Sequence, residues 1–141
     1  FESISARSGS GMRVSPDSAL RLAAVYACVR ILAETIASLP LVVYQRRPDG
    51  GKDRVTDHWL YRLMAKRPNR FQNPFEWREM LQGHLALRGN AYNQIITNAI
   101  GEIVELMPLH PDRIRMEVLP SGEYRYRFTD RMVTYRIAFL L

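Results

Sequence analysis

The chain has 141 residues, 47% hydrophobic and 24% charged, which suits one ordinary domain with its own core and excludes a disordered chain. Its 20 basic and 14 acidic residues give a net charge of +6, an excess too modest to demand nucleic acid. Only Lys52 and Lys66 are lysines; the other basic residues are arginines, which form bidentate pairs with carboxylates and phosphates.

Residues 1–14 carry Ser8-Gly9-Ser10-Gly11 and no apolar secretory segment, so a flexible arm is expected there, followed by one domain over 15–141. Ser15-Pro16-Asp17 is a helix start: a serine cap, proline at the first helical position, then an acid. The helix is expected to run to Ser38, because Pro40 disfavours helix at Leu39. Asp17 and Arg21 are spaced for an i,i+4 pair, as are Arg30 and Glu34. Arg21 and Arg30 would lie on opposite sides of it. Leu20, Leu22, Val25, Tyr26, Val29, Ile31, Leu32 and Ile36 make it apolar nearly all round. A surface helix keeps one polar face, so more than one side of this helix needs a cover. We expect Arg21, Arg30 and Glu34 to take part in that packing. Cys28 lies in the same run and is expected to be a buried structural thiol. Charges at Arg21, Arg30 and Glu34, with Pro40, interrupt the apolar stretch, so no membrane span is expected and the chain should be soluble.

Leu41 to Arg46 reads as a strand, Pro48-Asp49-Gly50-Gly51 as a turn, and Lys52 to Val55 as a short returning strand. Asp57 is placed to cap a helix over His58–Lys66. Asn73-Pro74 starts another helix, with Glu76 completing its cap. The apolar stripe there is Trp77, Met80, Leu81, His84 and Leu87, and Gly89 is its C-terminal cap. Ala91 to Thr97 and Glu102 to Leu109 form a hairpin. Arg113 to Leu119 and Glu123 to Phe128 form a second, and Arg131 to Ile137 offers a further strand. The order predicts an α+β fold: N-terminal helices followed by antiparallel hairpins.

Chemistry is sparse. His58, His84 and His110 lie on three different elements, without the short spacing of metal ligands. No phosphate-binding glycine loop and no nucleophile elbow occur, and no cofactor is expected. The best basic constellation is the second hairpin. Arg113, Arg115, Arg125 and Arg127 alternate with apolar residues and define one face. That face could touch phosphates or an acidic neighbour. The plainer reading is an exposed sheet face countered by Glu117 and Glu123. A free-standing arginine-rich nucleic-acid-binding domain is thus the competing reading of the chain.

Several segments, in order, resemble the portal proteins of long-tailed bacteriophages. They are Ser18-Ala19-Leu20, Val25-Tyr26-Ala27-Cys28-Val29-Arg30, Ile36-Ala37-Ser38-Leu39-Pro40, Arg67-Pro68-Asn69 and Phe75-Glu76-Trp77. Most specific is Leu87-Arg88-Gly89-Asn90-Ala91-Tyr92, followed by Leu106-Met107-Pro108-Leu109-His110-Pro111-Asp112-Arg113. The likeness spans Ser15 to Phe128; His58-Trp59-Leu60 departs from a usual His-Pro-Leu, and Ala138 to Leu141 does not align. The resemblance implies the outer wing portion of a longer, non-enzymatic chain. It implies a homo-oligomeric ring of about twelve subunits at one capsid vertex. Such a ring passes double-stranded DNA and contacts the major capsid protein, the terminase large subunit and the head–tail connector. It also implies a virion location after assembly in the bacterial cytoplasm.

Overall fold

The computed structural model describes residues 15–120, 122, 124–128 and 137–139; the expected arm (1–14) and the strand positions 131–136 lie outside them. Helix α1 spans Pro16–Leu20 and α2 spans Ala23–Ser38. The single expected helix is therefore broken at Arg21–Leu22, where Leu22 takes an extended conformation. A distant ion pair accompanies the break. Asp17 does not pair with Arg21; its carboxylate reaches Arg88 of a later helix at 3.0 Å. The start is as read, with Ser15 and Ser18 capping each other reciprocally.

Strands β1 (Val43–Arg46) and β2 (Lys52–Val55) form an antiparallel hairpin. The next helix begins not with Asp57 but with His58, whose Nδ1 accepts the Leu60 N–H. It comprises α3 (Trp59–Tyr61) and then a single π-helical turn, Arg62–Lys66. Helix α4 spans Pro74–Arg88, with Asn73 and Glu76 in a reciprocal cap. Gly89 ends it at φ +71°, a left-handed conformation that a side chain would strain. Strands β3 (Tyr92–Thr97) and β4 (Ile103–Leu109) follow, then a 3-10 turn (Pro111–Arg113). Strands β5 (Ile114–Val118) and β6 (Tyr124–Phe128) make a hairpin, and β7 (Ile137–Phe139) pairs with β3. The order of the three-stranded sheet is β4-β3-β7, all antiparallel. The fold is α+β, as expected.

The core lies between α4 and the β3–β4 hairpin. Trp77, Leu81, Leu63, Ala91 and Leu106 form it, flanked by Met64, Leu85, Ile95 and Ile103. The inward stripe of α4 is thus Trp77, Leu81 and Leu85; Met80, expected on it, is exposed. Two asparagines fix this core. The Trp77 indole N–H donates to Asn93 Oδ1 at 3.0 Å, with both side chains buried. Asn69, 2% exposed, holds the Arg67–Gln72 loop to the sheet. Its Nδ2 donates to the Leu106 carbonyl and Gln72 Oε1, and its Oδ1 accepts from the N–H groups of Phe71 and Gln72. The Pro68 carbonyl accepts the Leu106 N–H at 2.7 Å, so the loop occupies an edge of β4 that would otherwise be open to pairing. Replacing Asn69 by Ala leaves several of these groups unpaired in the interior, at about 1–3 kcal/mol each for those that water cannot reach. Asn69→Ala should therefore lower unfolding free energy by about 3 kcal/mol in a urea titration; a loss below about 0.5 kcal/mol would show that water replaces the asparagine without cost.

Candidate interaction surfaces

Three clusters lie outside the core. The first is the arginine face of the β5–β6 hairpin. Arg115 stands directly across from Arg127, and Glu117 across from Arg125. Arg125 Nη2 meets Glu117 Oε2 at 2.8 Å and Arg127 Nε meets Glu117 Oε1 at 3.1 Å. The hydrogen bond from Arg125, with the charge of Arg127, holds Glu117 below the usual carboxylate range. Two of the four named arginines therefore share one carboxylate, the counter-charge expected of Glu117. Glu123 lies outside the described residues. Arg115 is exposed, and Arg113 ends the 3-10 turn rather than belonging to β5. On the opposite face the Tyr126 ring lies 6.0 Å from Tyr92, which ties the hairpin to the sheet.

The second surface is α2. It packs chiefly along α4, and its buried positions are two alanines, Ala33 and Ala37. The large residues point elsewhere: Ile31 is 62% exposed, Leu32 52%, Ile36 41% and Leu39 57%. At about 100° per residue, Ile31 lies on the side of the helix away from Ala33. Arg30 and Glu34 pair at 2.6 Å beside this apolar strip. Arg21 caps α1 and is not on α2. Cys28 is exposed, contrary to the expectation of burial. It lies one turn before the exposed Leu32, whereas its neighbour Val29 is half-buried.

The third cluster escaped the sequence reading. Arg88, at the end of α4, has a side chain only 10% exposed. It binds Asp17 of α1 through Nη2 and Asp112 of the 3-10 turn through Nε at 2.9 Å. One guanidinium thus joins three elements, and its hydrogen bond is the main cause holding Asp112 low. His84, one turn earlier, meets His110 edge to face at 5.5 Å. These two histidines, far apart in sequence, are neighbours. Burial first, then the charges of His110 and Arg88, lower His84 to about 4. No group of three or more metal-ligating side chains occurs among the described residues. No described helix is long and apolar enough to cross a membrane.

Residues 23–138 match the family model described as phage portal protein. The chain belongs to the phage portal protein family. Protein BeeE of Escherichia coli (strain K12) is 35% identical over 126 residues, covering 86% of this portal-family chain and 79% of that protein. The portal protein of Enterobacteria phage HK97 is 27% identical over 116 residues, covering 81% of this chain and 27% of that one. A chain from the neck of an empty GTA particle, computed with C6 symmetry, superposes with a TM-score of 0.68 at 23% identity, covering 88% of this chain and 33% of that chain. Another, from the neck of a native GTA particle computed with C12 symmetry, gives 0.54 at 25% identity, covering 82% and 27%. This portal-family chain therefore spans about a third or less of the HK97 and GTA chains it matches. The match includes the Arg88-Gly89 segment, where a charged hub and a left-handed turn now give that run a structural reason.

The lowered His84 fixes a pH dependence. The unfolded imidazole takes up its proton near 6.5 and the folded one only near 4, so the unfolded chain binds more protons in between. The stability it contributes is present above about pH 6.5 and is lost as pH falls toward 4. His84→Leu should reduce the loss of urea stability between pH 7.5 and 4.5. An equal loss in the parent and the variant would show that His84 is not the group responsible.

Proposed function

We propose that this chain is a structural, non-enzymatic subunit of a portal ring at one capsid vertex. The ring has about twelve subunits, in line with the C12 symmetry in which one GTA neck was computed. It serves as a conduit for double-stranded DNA during packaging and ejection. It contacts the major capsid protein, the terminase large subunit and the head–tail connector, first in the host cytoplasm and then in the virion. The observation that carries this reading is the uncovered strip Ile31, Leu32, Ile36 and Leu39 in a portal-family chain. Exposed apolar patches of this kind mark protein–protein contacts. Closed rings are built from contacts between unlike surfaces of neighbouring copies. In this reading α2 supplies one of them, with Arg30 and Glu34 on its flank and Arg21 at its start.

The arginine face of β5–β6 is read as part of the same packing rather than as a DNA-binding surface, because Arg125 and Arg127 already pair with Glu117. A nucleic-acid-binding domain would leave such charges for phosphates, and its affinity would fall steeply with salt.

Ile31→Glu together with Leu32→Glu places two charges on the strip without touching the core. The full-length protein should lose its rings in negative-stain images, while its unfolding free energy stays within about 0.5 kcal/mol of the parent. Rings formed as readily by the double variant would remove α2 from the contact.

A further inference from the structure

A concave surface lies beside the π-helical turn, at the edge of the core where Leu63 and Ile103 meet it. Trp59, Arg62, Leu63, Arg67, Ile103 and Val104 enclose a hollow of about 150 Å³. Leu63 is its buried floor; Trp59 is 47% exposed at its rim. The π-turn explains why two arginines share it. The Arg67 N–H closes on the Arg62 carbonyl at 2.9 Å, an i to i+5 bond. In a regular α-helix, residues five apart diverge by about 140°. Here Arg62 opens the wider turn, Arg67 follows its last residue, and both line the hollow. Single π-turns of this kind are rare and recur at functional sites.

Arg62 and Arg67 are the cations that line the hollow, and like Arg21, Arg46, Arg54, Arg78 and Arg115 they have no ion-pair partner among the described residues. Arg30, Arg47, Arg70, Arg88, Arg125 and Arg127 all have a carboxylate partner. Arg62 and Arg67 make no ion pair among the described residues, although Glu105 of the adjacent strand is near enough to bind Arg70. Lys66 lies between them in sequence and faces the Tyr61 ring. Two cations, Arg62 and Arg67, thus border a largely apolar hollow that no acidic side chain lines.

Volume then limits the occupant. An apolar cavity of about 150 Å³ takes one benzene-sized group, and small-molecule sites are typically several times larger. Guanidinium forks match carboxylates in bidentate geometry. A DNA backbone needs a track of cations and no apolar hole. We propose that this pocket receives one aromatic or leucine side chain of a partner protein, with Arg62 and Arg67 holding carboxylates that flank it in the partner's sequence. The inference goes beyond ring closure and does not rest on α2.

The test uses the full chain and the pentapeptide Gly-Glu-Phe-Glu-Gly. Titration should give a saturable change in Trp59 fluorescence, and amide shifts centred on residues 59–67 and 103–104. A Trp59→Phe variant should lose the fluorescence change but keep the shifts. Arg62→Gln with Arg67→Gln, both at exposed positions, should weaken binding at least tenfold with an unchanged melting temperature. Exchanging the peptide's glutamates for lysines should weaken it as much. Amide shifts scattered over the surface, no saturation, or an unchanged affinity in the double variant would overturn the proposal. So would tighter binding of oligothymidylate at the same residues, which would make the site one for nucleic acid.

Discussion

Helix α2 can bury only the stripe that faces α4, and that stripe consists of small side chains. Ala33 and Ala37 are fully enclosed, while Ile31, Leu32, Ile36 and Leu39 remain at the surface. Alanine lets two helices approach closely, but little apolar area is removed from water by it. Fully covering one large aliphatic side chain contributes about 1.5–3 kcal/mol. The greater part of the helix's hydrophobic driving force is therefore unused within the described residues. Joining two bodies costs about 4–15 kcal/mol in lost freedom. The four residues of the strip are about half exposed already, so covering them contributes about 3–6 kcal/mol, near the low end of that cost, and a stable ring needs further surfaces.

Behind this face the domain is held by polar groups at its joints. The Trp77 indole on Asn93 joins α4 to β3, Asn69 joins the loop before α4 to β4, and Arg88 joins α1, α4 and the 3-10 turn. The two asparagine bonds are buried, where leaving a donor unpaired is costly, while the Arg88 pairs join a largely buried guanidinium to exposed carboxylates. The joints fix how α4 sits on the sheet, and α4 in turn fixes the outward aim of α2. Segments that carry the portal-protein resemblance, Arg67-Pro68-Asn69, Phe75-Glu76-Trp77 and the run with Arg88-Gly89, contribute residues to these joints.

Local features were legible from residues alone. The caps at Ser15, at Asn73 with Glu76, and at Gly89 depend on side chains within three or four positions of each other, and all three are present. The three hairpins were legible from alternation and turn residues. What was not legible depends on distance. The break at Leu22 accompanies an ion pair between Asp17 and Arg88, 71 residues apart. His84 and His110 meet only because α4 and the end of β4 come together. The π-turn has no sequence signal comparable to a cap. Cys28 was misread because apolar neighbours signal burial only when something covers them. The reading that α2 needs a cover on more than one side agrees with the exposed strip, and the cover itself is not among the described residues.

Cys28 offers the most direct measurement. It is the only cysteine in the sequence and is exposed on α2. Maleimide labelling at Cys28, followed by peptide mass in the full-length protein, should be fast for dispersed subunits and at least tenfold slower once rings have formed. Equal labelling rates in the two states would contradict the claim that α2 is covered on assembly.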